Sequence, residues 1–128
     1  MTDGPSVLVA DDEDDIRALV GVAVHRAGCA LVASVADGES ALASARAAMP
    51  DLVVRDVSMP RRTGLEVCTA LRGDPVTAGL RVLLLSAGAS ADDVARGLAA
   101  GADAYLPKPF SVADLVREVR ALAAGQPA

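Results

Sequence analysis

Five short apolar runs alternate with five helical patterns along the chain, and this order restricts the fold more than any other feature of the sequence. The runs are rich in β-branched residues or leucine, and several are almost continuously apolar, as strands covered on both faces are. Strict alternation of strands and helices, with crossovers of this length, predicts a parallel sheet with helices on both of its faces. We therefore expect an α/β sandwich of five strand–helix units.

The boundaries of these elements follow from periodicity and from capping residues. Gly28 ends the first helical pattern, where a left-handed helix end favours glycine, and Ser90 and Ser111 stand where they can cap the last two helices. The predicted strands cover residues 7–10, 29–34, 52–56, 81–86 and 104–106. The predicted helices cover residues 14–27, 38–48, 64–72, 90–100 and 111–124.

Length and composition favour a single domain. No linker, repeat or low-complexity tract divides the 128 residues, and a chain of this size is expected to bury roughly two-thirds of the surface of its unfolded form. The sequence has one phenylalanine, one tyrosine and no tryptophan, so the core must be built from alanine, valine and leucine. We predict one domain over residues 1–128, with its core at 6–122 and with 123–128 as a tail or the start of a linker.

Charge and cysteine content exclude several classes of function. A net charge of −5 without a dense run of lysine or arginine argues against direct binding of nucleic acid or an anionic membrane. The start of the chain lacks a charged leader with an apolar core, and no long apolar run is present, so we expect a soluble, cytoplasmic protein. Cys29 and Cys68 have no CxxC spacing and are predicted to be buried, reduced thiols, and His25 is predicted to lie on the surface.

Polar residues follow four of the predicted strands, at the ends where open α/β sheets bind ligands. Asp11 and Asp12 follow the first strand, Asp56 ends the third, Ser86 ends the fourth, and Lys108 lies just past the fifth. Carboxylates brought together need a compensating cation, and oxygen ligands of this kind suit Mg²⁺. A carboxylate can also attack a phosphoryl group and form an aspartyl phosphate, provided that positive charge faces the phosphoryl oxygens. The pattern therefore predicts a cation site built around a reactive aspartate.

Five segments of the sequence resemble, in order and spacing, the receiver domain of two-component response regulators. The resemblance runs from about residue 6 to residue 122 and implies a flavodoxin-like, doubly wound (βα)5 sandwich. The segments are residues 7–13, 51–60, 64–67, 84–87 and 101–110.

The resemblance implies a role for each strand-end residue. Asp56 is the phosphoacceptor, and Lys108 pairs with the phosphoryl group that arrives there. Mg²⁺ is the implied cofactor: Asp12 and Asp56 bind it directly, Asp11 binds it through water, and Ser58 binds it through its backbone carbonyl.

Two further residues are implied to act as a switch. Ser86 moves inward to meet the phosphoryl group, and Tyr105 follows into the space that is vacated. The bond between Lys108 and Pro109 resembles the family's cis peptide, which aims the lysine. The surface of the fourth helix, fifth strand and fifth helix then changes shape and signals to a partner.

The implied function is that of a phosphorylation-controlled signalling switch. It accepts phosphoryl groups from a histidine kinase or phosphotransfer protein and acts on an unidentified downstream protein or output domain; phosphorylation-dependent dimerisation is left open. It is not an enzyme with turnover, beyond slow self-catalysed phosphorylation and dephosphorylation. One alternative is a receiver-like binding module that works without phosphate. Another is a phosphohydrolase with an aspartate nucleophile, which Ser58 disfavours because such enzymes place a second aspartate there.

Two positions depart from the pattern of the family. Arg55 stands where an aliphatic residue usually precedes the phosphoacceptor, and strand alternation directs it toward a helix-covered face, where an unpaired guanidinium is costly. We predict that its head reaches the sheet edge or finds a carboxylate partner. Residues 61–63, Arg-Arg-Thr, replace the family's common Gly-x-Asp loop and leave the shape of that loop open.

Overall fold

The computed structural model describes residues 4–56, 64–86, 91–108 and 110–123. Within them, strands and helices alternate without exception, and all strands join one parallel sheet, so the predicted five-stranded parallel sheet with five flanking helices is confirmed. The elements are β1 (Ser6–Ala10), α1 (Asp14–Arg26), β2 (Ala30–Val35), α2 (Gly38–Ala48), β3 (Leu52–Asp56), α3 (Gly64–Gly73), β4 (Arg81–Ser86), α4 (Ala91–Ala99), β5 (Ala104–Pro107) and α5 (Val112–Ala123).

Most predicted boundaries agree with the structure within one residue. Gly28 has a φ of 78°, as the predicted left-handed helix end requires. The side-chain oxygen of Ser111 accepts from the backbone N–H of Asp114, and the Asp114 carboxylate accepts from the backbone N–H of Ser111, so α5 begins with a reciprocal cap. The predicted cap Ser90 lies outside the described residues.

The second strand begins one residue later than predicted. Cys29 belongs to the end of α1, because its backbone N–H donates to the carbonyl of Val24. The ladder of β2 with β1 therefore starts at Ala30, opposite Ser6. An apolar pattern does not distinguish a residue that closes a helix from one that opens a strand.

The strand order is β2-β1-β3-β4-β5. From β1 the chain first adds β2 on one side and then crosses to add β3, β4 and β5 on the other, so the order reverses between β1 and β3. Doubly wound sheets form their ligand-binding crevice at such a point, outside the carboxyl ends of the strands. Asp11 and Asp56 stand at the two strand ends that flank it.

Two apolar clusters, one on each face of the sheet, form the core. The first packs α1 and α5 on the sheet through side chains such as Val20, Val24 and Leu115. The second packs α2 and α3 on the opposite face through Leu42 and Leu71, among others. Cys29 and Cys68 are buried in the two clusters, one in each, as predicted, and burial raises the pKa of both thiols.

Arg72 joins three segments at the end of the sheet remote from Asp56. Its Nε donates to the carbonyl of Gly101 at 2.9 Å, and its Nη1 donates to the carbonyls of Ala78 and Leu80. Its Nη2 lies 2.8 Å from a carboxylate oxygen of Asp103, which also accepts from a backbone N–H of β4. One side chain thus holds the α3–β4 and α4–β5 connections together.

Within the described parts of the chain, none of the helices has both the length and the apolar character needed to cross a bilayer. His25 is exposed on α1, as predicted.

Candidate functional site

Three strand ends bring two carboxylates and one ammonium together. The Lys108 Nζ lies 2.8 Å from Oδ2 of Asp56 and 3.5 Å from Oδ2 of Asp11. Asp11 is separated from Lys108 by 97 positions in the sequence, yet parallel strands place their carboxyl ends at the same edge. The predicted convergence of Asp11, Asp56 and Lys108 is therefore present in the fold.

Backbone hydrogen bonds hold two of these residues, Asp11 and Lys108, in place. The backbone N–H of Asp11 donates to the carbonyl of Val35 on β2, and its own carbonyl accepts from the guanidinium of Arg17 on α1. One Asp11 carboxylate oxygen also accepts from the backbone N–H of Glu13 at 2.9 Å. The backbone N–H of Lys108 donates to the carbonyl of Ser86 at 2.6 Å, which fixes the start of the lysine side chain at the end of β4.

Burial and charge shift the pKa values of the site in defined directions. Burial raises the pKa of the Asp11 carboxyl, and repulsion from Asp56 adds to this, while the Glu13 N–H and Lys108 act in the opposite direction. Burial disfavours the Lys108 ammonium, but its hydrogen bond with Asp56 and the surrounding carboxylates outweigh this effect, so the pKa of Lys108 is raised. Lys108 therefore stays protonated and compensates the buried carboxylates.

Four acidic residues form a group that could hold a metal ion. Asp11, Asp12, Glu13 and Asp56 each offer one carboxylate oxygen, and these four oxygens lie within 4.8 Å of one another. Asp11 and Asp56 are buried, whereas Asp12 and Glu13 are exposed. Hard oxygen ligands open to water on one side fit Mg²⁺, which usually keeps several water ligands. The predicted ligands Asp11, Asp12 and Asp56 all belong to this group.

Glu13 has a larger part in the site than the sequence indicated. It caps α1 with an extended backbone and without a side-chain capping bond, so its side chain is not engaged by the helix end. Its carboxylate lies 3.4 Å from the Lys108 ammonium. The acidic run from Asp11 to Asp15 is visible in the sequence, but it does not distinguish members of the site from acids that begin the helix.

Ser86 and Tyr105 occupy the predicted strand positions. Ser86 ends β4, pairs with Pro107 of β5 and is half-buried. Tyr105 is half-buried on β5 beside Leu84, and its ring lies against Gly97 of α4 so closely that a Cβ at Gly97 would meet it at 3.0 Å. Their roles as switch residues stay predictions.

Several predicted features lie outside the described residues. These are the Ser58 carbonyl, the loop at 61–63 and Pro109 with its peptide bond.

Of the two alternatives predicted for the head of Arg55, the sheet edge is wrong, and a carboxylate partner stays a prediction. The Arg55 side chain does not reach the sheet edge: the residue has an exposed fraction of 0%. The Arg55 Nε instead donates to the main-chain carbonyl of Asp56 at 2.7 Å. Burial lowers its pKa to about 10, against the opposing attraction of the Asp56 and Asp11 carboxylates, so the guanidinium remains charged at neutral pH. The Asp56 carbonyl at the strand end is within hydrogen-bonding distance of the buried guanidinium, and the periodicity of the sequence could not reveal this acceptor.

Comparison with known sequences gives one consistent family. The response regulator receiver domain matches over residues 7–120. The transcriptional regulatory protein PrrA of Mycobacterium tuberculosis is 45% identical over 118 residues, which are 92% of this chain and 49% of PrrA. The transcriptional regulatory protein CseB of Streptomyces coelicolor is 41% identical over 122 residues, 95% of this chain and 50% of CseB. The chain thus spans half the length, or slightly less, of these curated relatives.

Solved structures agree with the sequence comparison. The signal receiver domain of NarL from Mycobacterium tuberculosis superposes with a TM-score of 0.90 at 31% identity, covering 97% of this chain and 99% of that one. The chemotaxis response regulator CheY4 of Vibrio cholerae superposes with a TM-score of 0.86 at 33% identity, covering 93% of this chain and 98% of that one.

Proposed function

Since this chain belongs to the response regulator receiver domain family, we propose that it is the phosphorylation-controlled switch of a two-component system. A histidine kinase or a phosphotransfer protein supplies the phosphoryl group, and Asp56 accepts it. The surface of α4, β5 and α5 then changes shape and acts on a downstream protein or output domain. We place the protein in the cytoplasm, where receiver domains of this family act.

The observation that carries this proposal is the ion pair between Asp56 and Lys108. The Lys108 ammonium lies 2.8 Å from Oδ2 of Asp56, so the carboxylate that would act as nucleophile has a positive charge directly beside it. The same ammonium is a donor beside the carboxylate, where the oxygens of an arriving phosphoryl group need positive charge. Asp56 is almost wholly buried, so the transfer takes place in a site where fixed charges act strongly.

The bond changes follow from this geometry. A carboxylate oxygen of Asp56 attacks phosphorus, the bond from phosphorus to the donor histidine nitrogen breaks, and the imidazole leaves and takes up a proton. Asp11, Asp12 and Asp56 would hold Mg²⁺, with the Ser58 carbonyl as a further ligand, and the ion supplies positive charge to the phosphoryl oxygens when bound. Lys108 stays bound near the acyl phosphate, and the Ser86 hydroxyl donates to one of its oxygens.

The relatives indicate what kind of output such a switch controls. PrrA and CseB are transcriptional regulatory proteins, and each is about twice as long as this chain. We therefore place control of transcription downstream of the switch. The receiver itself, with a net charge of −5, takes no direct part in binding DNA.

Mass spectrometry tests the phosphoacceptor. Incubation of the protein with Mg²⁺ and acetyl phosphate should add one phosphoryl group to the intact mass, and Asp56→Asn should abolish the addition. Asp15→Asn, which removes an exposed carboxylate at the start of α1, is the matched control and should be phosphorylated as the unmutated protein is. An unchanged mass with a donor that phosphorylates another receiver would favour the phosphate-independent binding module, and sustained phosphate release would favour a phosphohydrolase.

Fluorescence tests the switch. Tyr105 is the only tyrosine and the chain has no tryptophan, so tyrosine emission reports on this one side chain. Phosphorylation should change the emission of Tyr105, and Lys108→Ala should reduce that change while the phosphoryl group is still added. An emission that does not respond to phosphorylation would contradict the role of Tyr105.

A further inference from the structure

Arg55 places a charge inside the core directly behind the phosphoacceptor. It pairs with Ala10 of β1 and Leu84 of β4 in the parallel ladder, and paired residues in a ladder point to the same face of the sheet. Both neighbours belong to the apolar cluster under α2 and α3. Arg55 is the largest of the fully buried side chains in the described part of the chain.

The surroundings of Arg55 connect it to the acidic site. Its Nε donates to the carbonyl of Asp56 at 2.7 Å, and this carbonyl begins the segment that leads to Ser58. The carboxylates of Asp56 and Asp11 attract the guanidinium, and Glu66 on α3 does so more weakly. Arg55 therefore acts on the acidic site both through a hydrogen bond to its backbone and through its charge.

The charge balance of the site follows. Two buried carboxylates, Asp11 and Asp56, are accompanied by two largely or wholly buried cations, Lys108 and Arg55. With an aliphatic residue at position 55, the same buried group would carry one more unit of negative charge. A divalent cation that enters the acidic group is attracted by the carboxylates and repelled by Arg55, and this repulsion is weakly screened because Arg55 is buried.

We propose that Arg55 is a positioning residue that sets the divalent-cation affinity of the site: its buried charge weakens Mg²⁺ binding, while its hydrogen bond holds the Asp56 carbonyl. This rests on the proposed function for the identity of the site. Arg55 touches neither the cation nor the phosphoryl group and acts through Asp56 and Asp11. The chain thus keeps its buried charges compensated before any cation binds, and holds the cation less tightly as a result.

Titration calorimetry with Mg²⁺ alone tests the proposal on the intact chain, without phosphorylation. Arg55→Gln keeps a donor but removes the charge, Arg55→Met removes both, and Arg55→Lys keeps the charge. Because the repulsion between a buried unit charge and a divalent ion is weakly screened, we expect the Gln and Met variants to bind Mg²⁺ at least about tenfold more tightly. The Lys variant should stay within about threefold of the unmutated protein. Adding Asp12→Asn to each protein should weaken binding and so assign the heat to this site.

The outcomes separate this proposal from the proposed function. Neutral variants that bind Mg²⁺ no more tightly than the unmutated protein would overturn the role of Arg55, and so would a Lys variant that binds as tightly as they do. If the Gln variant does not fold, the Met variant decides, because an apolar side chain suits this buried position. If the unmutated protein binds Mg²⁺ and is phosphorylated, but the Arg55 variants have the same Mg²⁺ affinity as it has, only the inference about Arg55 is refuted. Absence of Mg²⁺ binding by every protein refutes the inference together with the magnesium site.

Discussion

Neutralising Asp12 should stabilise the metal-free protein. Asp12 belongs to the acidic group, where its carboxylate oxygen lies within 4.8 Å of oxygens from Asp11, Glu13 and Asp56. Lys108 forms ion pairs with these three other acids. Two cations, Lys108 and Arg55, face four carboxylates, so a repulsive term remains in the folded protein that the unfolded chain does not have. Asp12→Asn keeps the shape of the side chain and removes only its charge.

The size of the effect follows from the separation. At 4.8 Å a pair of like charges repels by about 0.9 kcal/mol in water. Three such pairs, reduced by roughly half through salt screening and offset in part by Lys108 and Arg55, leave a net destabilisation of about 1 kcal/mol from Asp12. For a domain of this size that corresponds to an increase of about 4 °C in the melting temperature of Asp12→Asn.

Circular dichroism is the appropriate assay, since the chain has one tyrosine and no tryptophan. Thermal and urea unfolding would be compared with EDTA and with Mg²⁺. The unmutated protein should gain about 1.4 kcal/mol of stability when free Mg²⁺ is ten times its dissociation constant, and Asp12→Asn should gain much less. Asp15→Asn, which neutralises an exposed acid of α1 outside the acidic group, should keep the full response to Mg²⁺.

Two results would refute this reasoning. If Asp12→Asn is no more stable than the unmutated protein in EDTA, the four carboxylates are already compensated in the folded chain. If Mg²⁺ stabilises Asp12→Asn as much as the unmutated protein, the ion does not bind at the acidic group.

Two further predictions concern the rest of the fold. Arg72→Met should lower the free energy of unfolding by about 2–3 kcal/mol in urea titrations, because partly buried carbonyls lose their donors. Arg46→Met, at an ion pair with an exposed arginine, should cost less than about 0.5 kcal/mol, and equal losses would contradict the role of Arg72 in joining the two connections. Hydrogen bonds from the Ser111 backbone N–H, and next from the Arg117 guanidinium, lower the pKa of Asp114. The ionised carboxylate therefore stabilises the folded protein above pH 3.8, the ordinary pKa of the group, and this stabilisation disappears as the pH falls through the folded-state pKa. Asp114→Asn should therefore melt earlier than the unmutated protein at pH 7, and a difference that persists at pH 2 would refute the assignment.

The topology and the location of the site were predictable because both depend on short-range patterns. Strict alternation of strands and helices leaves few arrangements other than a parallel sheet. Once the strands are parallel, residues as distant in sequence as Asp11 and Lys108 must meet at one edge. Their convergence at one point also requires these strands to lie close together in the sheet, which the doubly wound fold implied by the family resemblance provides.

Side-chain contacts that depend on one or two ångströms were not predictable. Glu13 and Asp14 are neighbours in one acidic run, but only Glu13 lies at the helix cap with its side chain directed to Lys108. Arg55 was correctly assigned to the helix-covered face, and the cost of burying it predicted either a position at the sheet edge or a carboxylate partner. The carbonyl of Asp56 offered an acceptor inside the core, which the sequence pattern does not encode.

The position of Arg55 also bears on how a change at Asp56 can reach Tyr105. Side chains alternate along β3, so Asp56 belongs to the cross-strand row of Leu85, whereas Arg55 shares a row with Leu84 and, through it, Tyr105. If Tyr105 responds to phosphorylation as proposed, the signal from Asp56 must therefore change faces of the sheet. One route runs around the edge, where the backbone N–H of Lys108 donates to the end of β4. The other runs through the Asp56 carbonyl into the row to which Arg55 belongs. With an aliphatic residue at position 55 the second route would lack its hydrogen bond, so Arg55 gives this chain a connection between the two faces that the usual residue does not provide.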